Sequence, residues 1–388
     1  MIAILKREWK SYFQNITGWL FIAAVLALYG LYFLAYNLRA GYPYVSYTLS
    51  AISFIMLIAV PILTMRSMAE ERHSRTDQLV LTAPVSLGKM IFGKFLAMVG
   101  VFTVAVAVIA VTPLVLAAFG TVPLGENYVA VLGFWLYGCT CIAVGMLASA
   151  LTESQVIAAV VAFAFLFLGY MMNSITGLIG DHLVTKVLGA YDLYTPLQSF
   201  MSGCLDLTGV VYFVSVTGLC LFLTCQCVQK RRWSMTTKKL TTGMFSVAMI
   251  VVGFAVAVAV NLVVKEMPSS WTAVDATSTK LYSLTDTTKD YVKNLSQDVT
   301  IYVLSSEKSA DSTLAETLQR YEDLSKHLKV VYKDPAKSPN FYQQYTDSAP
   351  SQNSMIVVSD ARSRVVDYSD VYEYSYDYST YSSSVDGY

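Results

Sequence analysis

Charge is what this sequence has least of. Asp, Glu, Lys and Arg make up 14% of its 388 residues, against roughly 25% in soluble domains. Hydrophobic residues make up 55%, and the mean hydropathy is +0.50. That balance excludes a soluble globular class for the chain as a whole and reads as an integral membrane protein. Cysteine is also sparse, with six residues and no disulfide framework or zinc spacing. Cys139, Cys141, Cys220, Cys225 and Cys227 lie in or at the ends of apolar runs, and Cys204 lies between two of them. They read as small apolar packing residues. A phosphate-binding loop is missing. Gly88-x4-Gly93-Lys94 imitates one, but Phe95 stands where magnesium binding needs Ser or Thr, and the stretch opens an apolar run. With no nucleotide-binding domain and no convincing nucleophile–base pairing, the chain is not expected to be an enzyme.

What is present is a series of long apolar runs. A spanning helix needs about 20 mostly apolar residues. Seven stretches qualify, near 18–36, 46–65, 95–119, 128–151, 155–178, 208–228 and 244–264, and none contains Asp, Glu, Lys, Arg or His. Ion-coupled carriers usually keep ionisable groups at bilayer depth, so these uncharged spans argue against a secondary carrier. Pro61 and Pro113 fall inside the second and third runs and predict kinks. Gly145 with Ser149, and Ala158 with Ala162, have the four-residue spacing of small side chains that lets helices approach closely.

The formal net charge of zero hides an asymmetry. Residues 1–264 hold 15 Lys+Arg and 9 Asp+Glu, and residues 265–388 hold 12 and 18. Basic residues gather on one side of the spans: Lys6, Arg7 and Lys10 at the amino end, Arg66, Arg72, Arg75, Lys89 and Lys94 after the second run, and Lys230, Arg231, Arg232, Lys238 and Lys239 after the sixth. The opposite loops offer Arg39 and Lys186. The positive-inside rule then places the amino terminus in the cytoplasm, and seven spans place the acidic carboxy-terminal part outside. The expected fold class is an α-helical integral membrane protein of about seven transmembrane helices, amino terminus inside, with a C-terminal extracytoplasmic α/β domain. The basic residues are flanks of spans, so nucleic acid is not an expected partner; the lipid bilayer is.

Two polar features flank the first spans. In residues 1–14, Ile2, Leu5, Trp9, Tyr12 and Phe13 fall on one helical face and Lys6, Arg7 and Lys10 on the other. That pattern suits an interfacial helix, and equally the positive flank of a span. Between the second and third runs lies a charged island from Arg66 to Lys94, with Glu70, Glu71, Arg72, Thr76 and Asp77 followed by Leu79 and Leu81. An acidic pair before an apolar stripe reads as a docking element. Further on, Leu183, Val187, Leu188, Leu193 and Leu197 suit short helices dipping into the outer leaflet. Beyond the seventh run, Ser283 or Thr285 is placed to cap a helix through about 295. Strands are expected at Val299–Leu304, Val330–Tyr332, Met355–Val358 and Arg364–Tyr368, with an amphipathic helix at Asp311–Leu328. Strand, helix, strand reads as an open α/β sheet. The last residues, rich in Tyr, Ser and Asp, read as a flexible loop.

The island resembles the cytoplasmic coupling segment of type-2 ABC exporter permeases, on Glu70, Glu71, Arg72, Thr76, Leu79, Leu81, Pro84, Gly93 and Lys94. Tyr194-Thr195-Pro196, Phe200, Gly203, Asp206 and Leu207, with Arg231-Arg232-Trp233 after the next run, resemble the sixth-span region of gliding-motility (GldF-like) permeases. The part after the seventh run resembles the start of a GldG-like auxiliary subunit, on Asp275-x-Thr277, Lys280, Tyr282-Ser283-Leu284-Thr285, the strand Val299–Val303 and Asp334-Pro335. The resemblance implies three regions: a six-span permease domain at 1–235, a seventh span and linker at 236–267, and a GldG-like outer domain at 268–388 that the family continues beyond this length.

The resemblance further implies a multi-pass plasma-membrane protein, the permease subunit of an ABC exporter that forms a homo- or heterodimer. Separate ABC ATPase subunits would carry ATP and magnesium, and this chain would carry no cofactor or metal. The coupling segment, Glu70, Glu71, Arg72, Thr76, Asp77, Leu79 and Leu81, would meet the ATPase. The competing reading is a membrane-anchored extracellular binding or sensing protein. The cargo is not legible.

Overall fold

A computed structural model describes residues 2–75, 86–179, 188–231, 239–265, 267, 272–276, 284–306, 309–359, 362–371, 373–377 and 382–387. The chain divides into two compact units, Met1–Glu266 and Met267–Tyr388. The seventh span therefore belongs with the other six.

The first unit is helical. Its elements are α1 (Ile2–Gln14), α2 (Ile16–Phe33) continued by a π-helix (Leu34–Arg39), α3 (Ser46–Thr64), α4 (Arg66–His73), α5 (Leu87–Ile109), α6 (Thr112–Ala117), α7 (Leu124–Leu151), α8 (Gln155–Ile179), α9 (Tyr194–Met201), α10 (Leu207–Arg231) and α11 (Lys239–Lys265). Among the described residues, seven helices are long and apolar enough to cross a membrane: Ile16–Arg39, Ser46–His73, Leu87–Ala117, Leu124–Leu151, Gln155–Ile179, Leu207–Gln229 and Val247–Lys265. An apolar segment in hydrocarbon must satisfy its backbone internally, which a helix does.

The third span differs from the sequence expectation at both ends. The third helix begins at Leu87 rather than at Phe95, so Lys89 and Lys94 lie inside it. Pro113 does more than kink it. α5 ends at Ile109, and Pro113 sits in the first turn of a separate short helix, where a missing N–H costs nothing. Pro61, by contrast, stays inside an unbroken α3.

The fourth span, α7, is the centre of the bundle and is buried along most of its length. Phe134 and Tyr137 from this helix pack with Phe102 of α5, Phe200 of α9 and Phe213 of α10, all fully buried. Ring centroids lie 5.7 Å apart for Phe102–Phe134 and 6.3 Å apart for Phe200–Phe213. The small residues sit at close approaches as expected. Ala158 and Ala162 are buried, and Gly145 faces the Thr64 side chain.

In the described part of the segment before α10, two of the leucines expected to dip into lipid face the protein core instead. Leu193 and Leu197 are buried in the protein core, and the Leu193 N–H donates to the Gly169 carbonyl at 3.0 Å. Leu188 alone of the described leucines there is exposed; Leu183 and Val187 lie outside the described residues. Asp192 accepts from the Tyr194 and Thr195 N–H groups at 3.0 and 3.2 Å and so caps α9, with Pro196 in its first turn. Gly203 follows with φ +82°, a left-handed conformation that favours glycine. Asp206 then accepts from the Thr208 N–H at 2.8 Å at the start of α10.

The second unit holds α12 (Asp286–Lys293), α13 (Ser312–Leu324) and a four-stranded mixed sheet of β1 (Val299–Val303), β2 (Leu328–Tyr332), β3 (Met355–Ser359) and β4 (Ser363–Val366). The strand order is β2-β1-β3-β4, with β1 parallel to β2 and antiparallel to β3, and β3 antiparallel to β4. Thr285 and Asp311 cap the two helices, accepting from the Thr288 and Leu314 N–H groups at 3.3 and 2.9 Å. Leu314 and Leu318 are buried against Ile301 and Val303 of β1, with Tyr321 and Leu324 beside them. Leu328, expected on the same helical face, instead starts β2, because α13 stops at Leu324. The tail is also more regular than expected. Instead of an irregular loop it forms an antiparallel pair, β5 (Glu373–Asp377) with β6 (Ser382–Gly387).

Candidate functional site

The island begins as a helix. α4 follows α3 after a single residue, Met65, and its first turn is docked on α7. Ser149 makes that joint. Its hydroxyl oxygen accepts from the Met68 and Ala69 N–H groups at 3.1 Å each and donates to the Met65 carbonyl at 3.0 Å. The first N–H groups of a helix lack internal partners, and here a neighbouring helix supplies one. The other end is tied by Arg72, which ion-pairs with Glu153 at 2.7 Å.

Lys94 makes the third attachment. Its side chain is 4% exposed, and its ammonium donates to the Glu71 carboxylate at 2.6 Å and to the Ser67 carbonyl at 2.9 Å. Glu8 of α1 lies 3.7 Å from the same ammonium. Arg7 in turn ion-pairs with Glu8 at 2.6 Å and lies 3.7 Å from Glu71. The bond to Glu8 raises the Arg7 pKa, burial opposes the shift, and the charges of Glu8 and Glu71 add to it. Positive and negative groups therefore alternate across α1, α4 and α5. A buried ammonium that loses its partner is destabilising by about 3–5 kcal/mol, so these three helices are strongly held in register.

A cleft of about 550 Å³ opens beside this cluster, lined by Arg7, Glu8, Tyr12, Arg66, Glu71 and Lys94 among others. The third carboxylate at the cleft, Glu70, pairs with Arg66 through two bonds of 2.8 Å. Among the described residues, no group of three or more His, Cys, Asp or Glu side chains is arranged to hold a metal ion.

The sequence-derived coupling residues thus fall into two sets. Glu70, Glu71 and Arg72 lie together on α4, and all three engage partners within the chain, Glu71 by turning inward to Lys94. Thr76, Asp77, Leu79 and Leu81 lie outside the described residues. The amino-terminal set forms α1 as expected, with Ile2 exposed. Its aromatic residues pack on protein. The Trp9 and Phe13 rings lie 5.1 Å apart, and Phe13 is among the side chains resting on the core. Trp9 lies so close to Gly100 of α5 that any larger residue there would collide with the ring.

Sequence reasoning missed Glu8 and Glu153, and it singled out Lys94 and Ser149 without their contacts. Lys94 counts as a loop charge if the third span starts at Phe95. Ser149 was read for its size, whereas its hydroxyl caps α4.

With this geometry in hand, comparison with known families is informative. Residues 40–228 match the family described as ABC-2 family transporter protein. Residues 278–370 match a domain of unknown function (DUF7088). No curated protein matches the chain. The first match supports a permease of the ABC-2 type, a multi-pass membrane subunit of a class that associates with ABC ATPases. It covers α3 to nearly the end of α10, including α4 and its three attachments at Ser149, Glu153 and Lys94, but not α1.

Proposed function

We propose that this chain is the exporting permease subunit of an ATP-binding-cassette transporter and that α4, with the residues after it, receives force from separate ATPase subunits. The observation that carries the reading is the threefold attachment of α4: Ser149 on α7, Glu153 beyond it, and Lys94 on α5. A connector that only solvates a loop needs no buried lysine. An element that must move several spans together needs rigid joints to each. ATP and magnesium would stay on the partner, and this chain would perform no catalysis. On this reading α1, α4 and the end of α10 face the cytoplasm and residues 267–388 the opposite side, which the basic flanks support. The permease would work as a homo- or heterodimer, and its likeness to GldF- and GldG-like subunits suggests a fused arrangement.

The inward turn of Glu71 shifts the expected contact with the ATPase toward Leu79 and Leu81. The test is co-purification of the full chain with a candidate ABC ATPase subunit produced in the same cells. The pair Leu79→Ala with Leu81→Ala is expected to lower recovery of the ATPase at least tenfold, on the order of 1.4 kcal/mol. Undiminished recovery would remove the docking role. A wild-type chain that recovers no ATPase would favour the anchored binding protein instead.

A further inference from the structure

The Lys94 cluster does more than stabilise. Lys94 stands two turns inside α5, between the buried residues Gly93 and Phe95, at a position where an apolar side chain would pack without desolvating a charge. Its three neighbours come from two other elements: Glu71 and the Ser67 carbonyl from α4, and Glu8 from α1. The contact of Trp9 with Gly100, nearly two turns further along α5, adds a second bond between α1 and α5. Arg7 of α1 also approaches Glu71 of α4 to 3.7 Å.

We propose that Lys94 is a positioning residue that transmits movement of α4 to the third span and to the amino-terminal helix, so that α1, α4 and α5 shift as one body. The inference rests on the permease reading given above. Shortening or neutralising the Lys94 side chain leaves α4 attached to α7 through Ser149 and to Glu153 through Arg72. Movement of α4 would then persist while α1 stays behind. An arginine at the same position keeps the charge and is long enough to span the distance to Glu71.

The experiment uses the full chain reconstituted with its ATPase and two nitroxide pairs, His73→Cys with Val156→Cys and Ala3→Cys with Val156→Cys, all exposed positions. Distances are measured without nucleotide and with ATP held by a phosphate analogue. In the wild type both distances are expected to shift together. In Lys94→Met the His73 shift is expected to remain and the Ala3 shift to vanish, with Lys94→Arg restoring it. Glu71→Gln, nearly isosteric, supplies the same comparison if Lys94→Met does not fold. An unchanged Ala3 shift in either variant overturns the positioning role and leaves the permease reading intact. A wild-type complex in which ATP moves neither pair overturns the permease reading itself.

Discussion

Asp367 shows how much one half-buried side chain can organise. Its carboxylate accepts from the Ser351 and Ser369 N–H groups at 3.1 Å each, and from the Ser351, Ser354 and Ser369 hydroxyls at 2.8, 3.2 and 3.0 Å. The backbone bonds from Ser351 and Ser369, followed by the hydroxyl bonds of the same two residues, hold its pKa well below the usual carboxylate range. The unfolded reference is about 3.9. A carboxyl depressed in the folded state contributes stability that is complete above that reference and is lost as pH falls towards the folded value. Hydrogen-exchange protection of residues 351–369 is therefore expected to decline below about pH 4. In Asp367→Asn it should start lower at pH 6 and show no such decline; an unchanged pH profile would remove Asp367 from that role.

At the scale of elements, the question is what holds an amphipathic helix at the edge of a bundle. α1 carries the apolar face expected of an interfacial helix, and part of that face, Tyr12 and Phe13, rests on the protein core while Ile2 stays exposed. A Cβ at Gly100 would lie 1.7 Å from the Trp9 ring, so Gly100→Leu cannot be accommodated without displacing Trp9. Overpacking of this kind is destabilising by about 1–3 kcal/mol. Thermal unfolding of the detergent-solubilised chain is expected to occur at lower temperature for Gly100→Leu. Adding Trp9→Ala should recover part of the loss. If the double variant is no better than the single one, the clash is not the cause. Element boundaries were legible where periodicity and caps agreed, as at Asp311, and narrowed to Ser283 or Thr285 at the start of α12. They were not legible at α5, because Gly93 and Lys94 resemble a helix start until packing shows the helix already running.

For the whole molecule, the two units carry opposite charge, and the basic flanks of the spans predict which side each faces. A cysteine placed at Ser306 is expected to react with a membrane-impermeant thiol reagent on intact cells, whereas one at His73 should react only after permeabilisation. The reverse pattern would invert the topology. The seven spans, the acidic second unit and the helix–sheet order are all recorded in composition and periodicity, since burial in lipid or in a sheet selects residues position by position. The grouping of the seventh span with the other six, the regular pairing of the tail strands and the burial of Leu193 and Leu197 are not.

The amino-acid sequence by itself determined where the chain leaves water for hydrocarbon, because that depends on the local run of side chains. It also marked Glu70, Glu71 and Arg72 as unusual, because charges beside a span must be accounted for. Only the tertiary structure decided what those charges do. Glu71 meets Lys94 from 23 residues away and Ser149 caps α4 from about 80. No local pattern encodes a bond between helices whose proximity is created by packing the rest of the bundle.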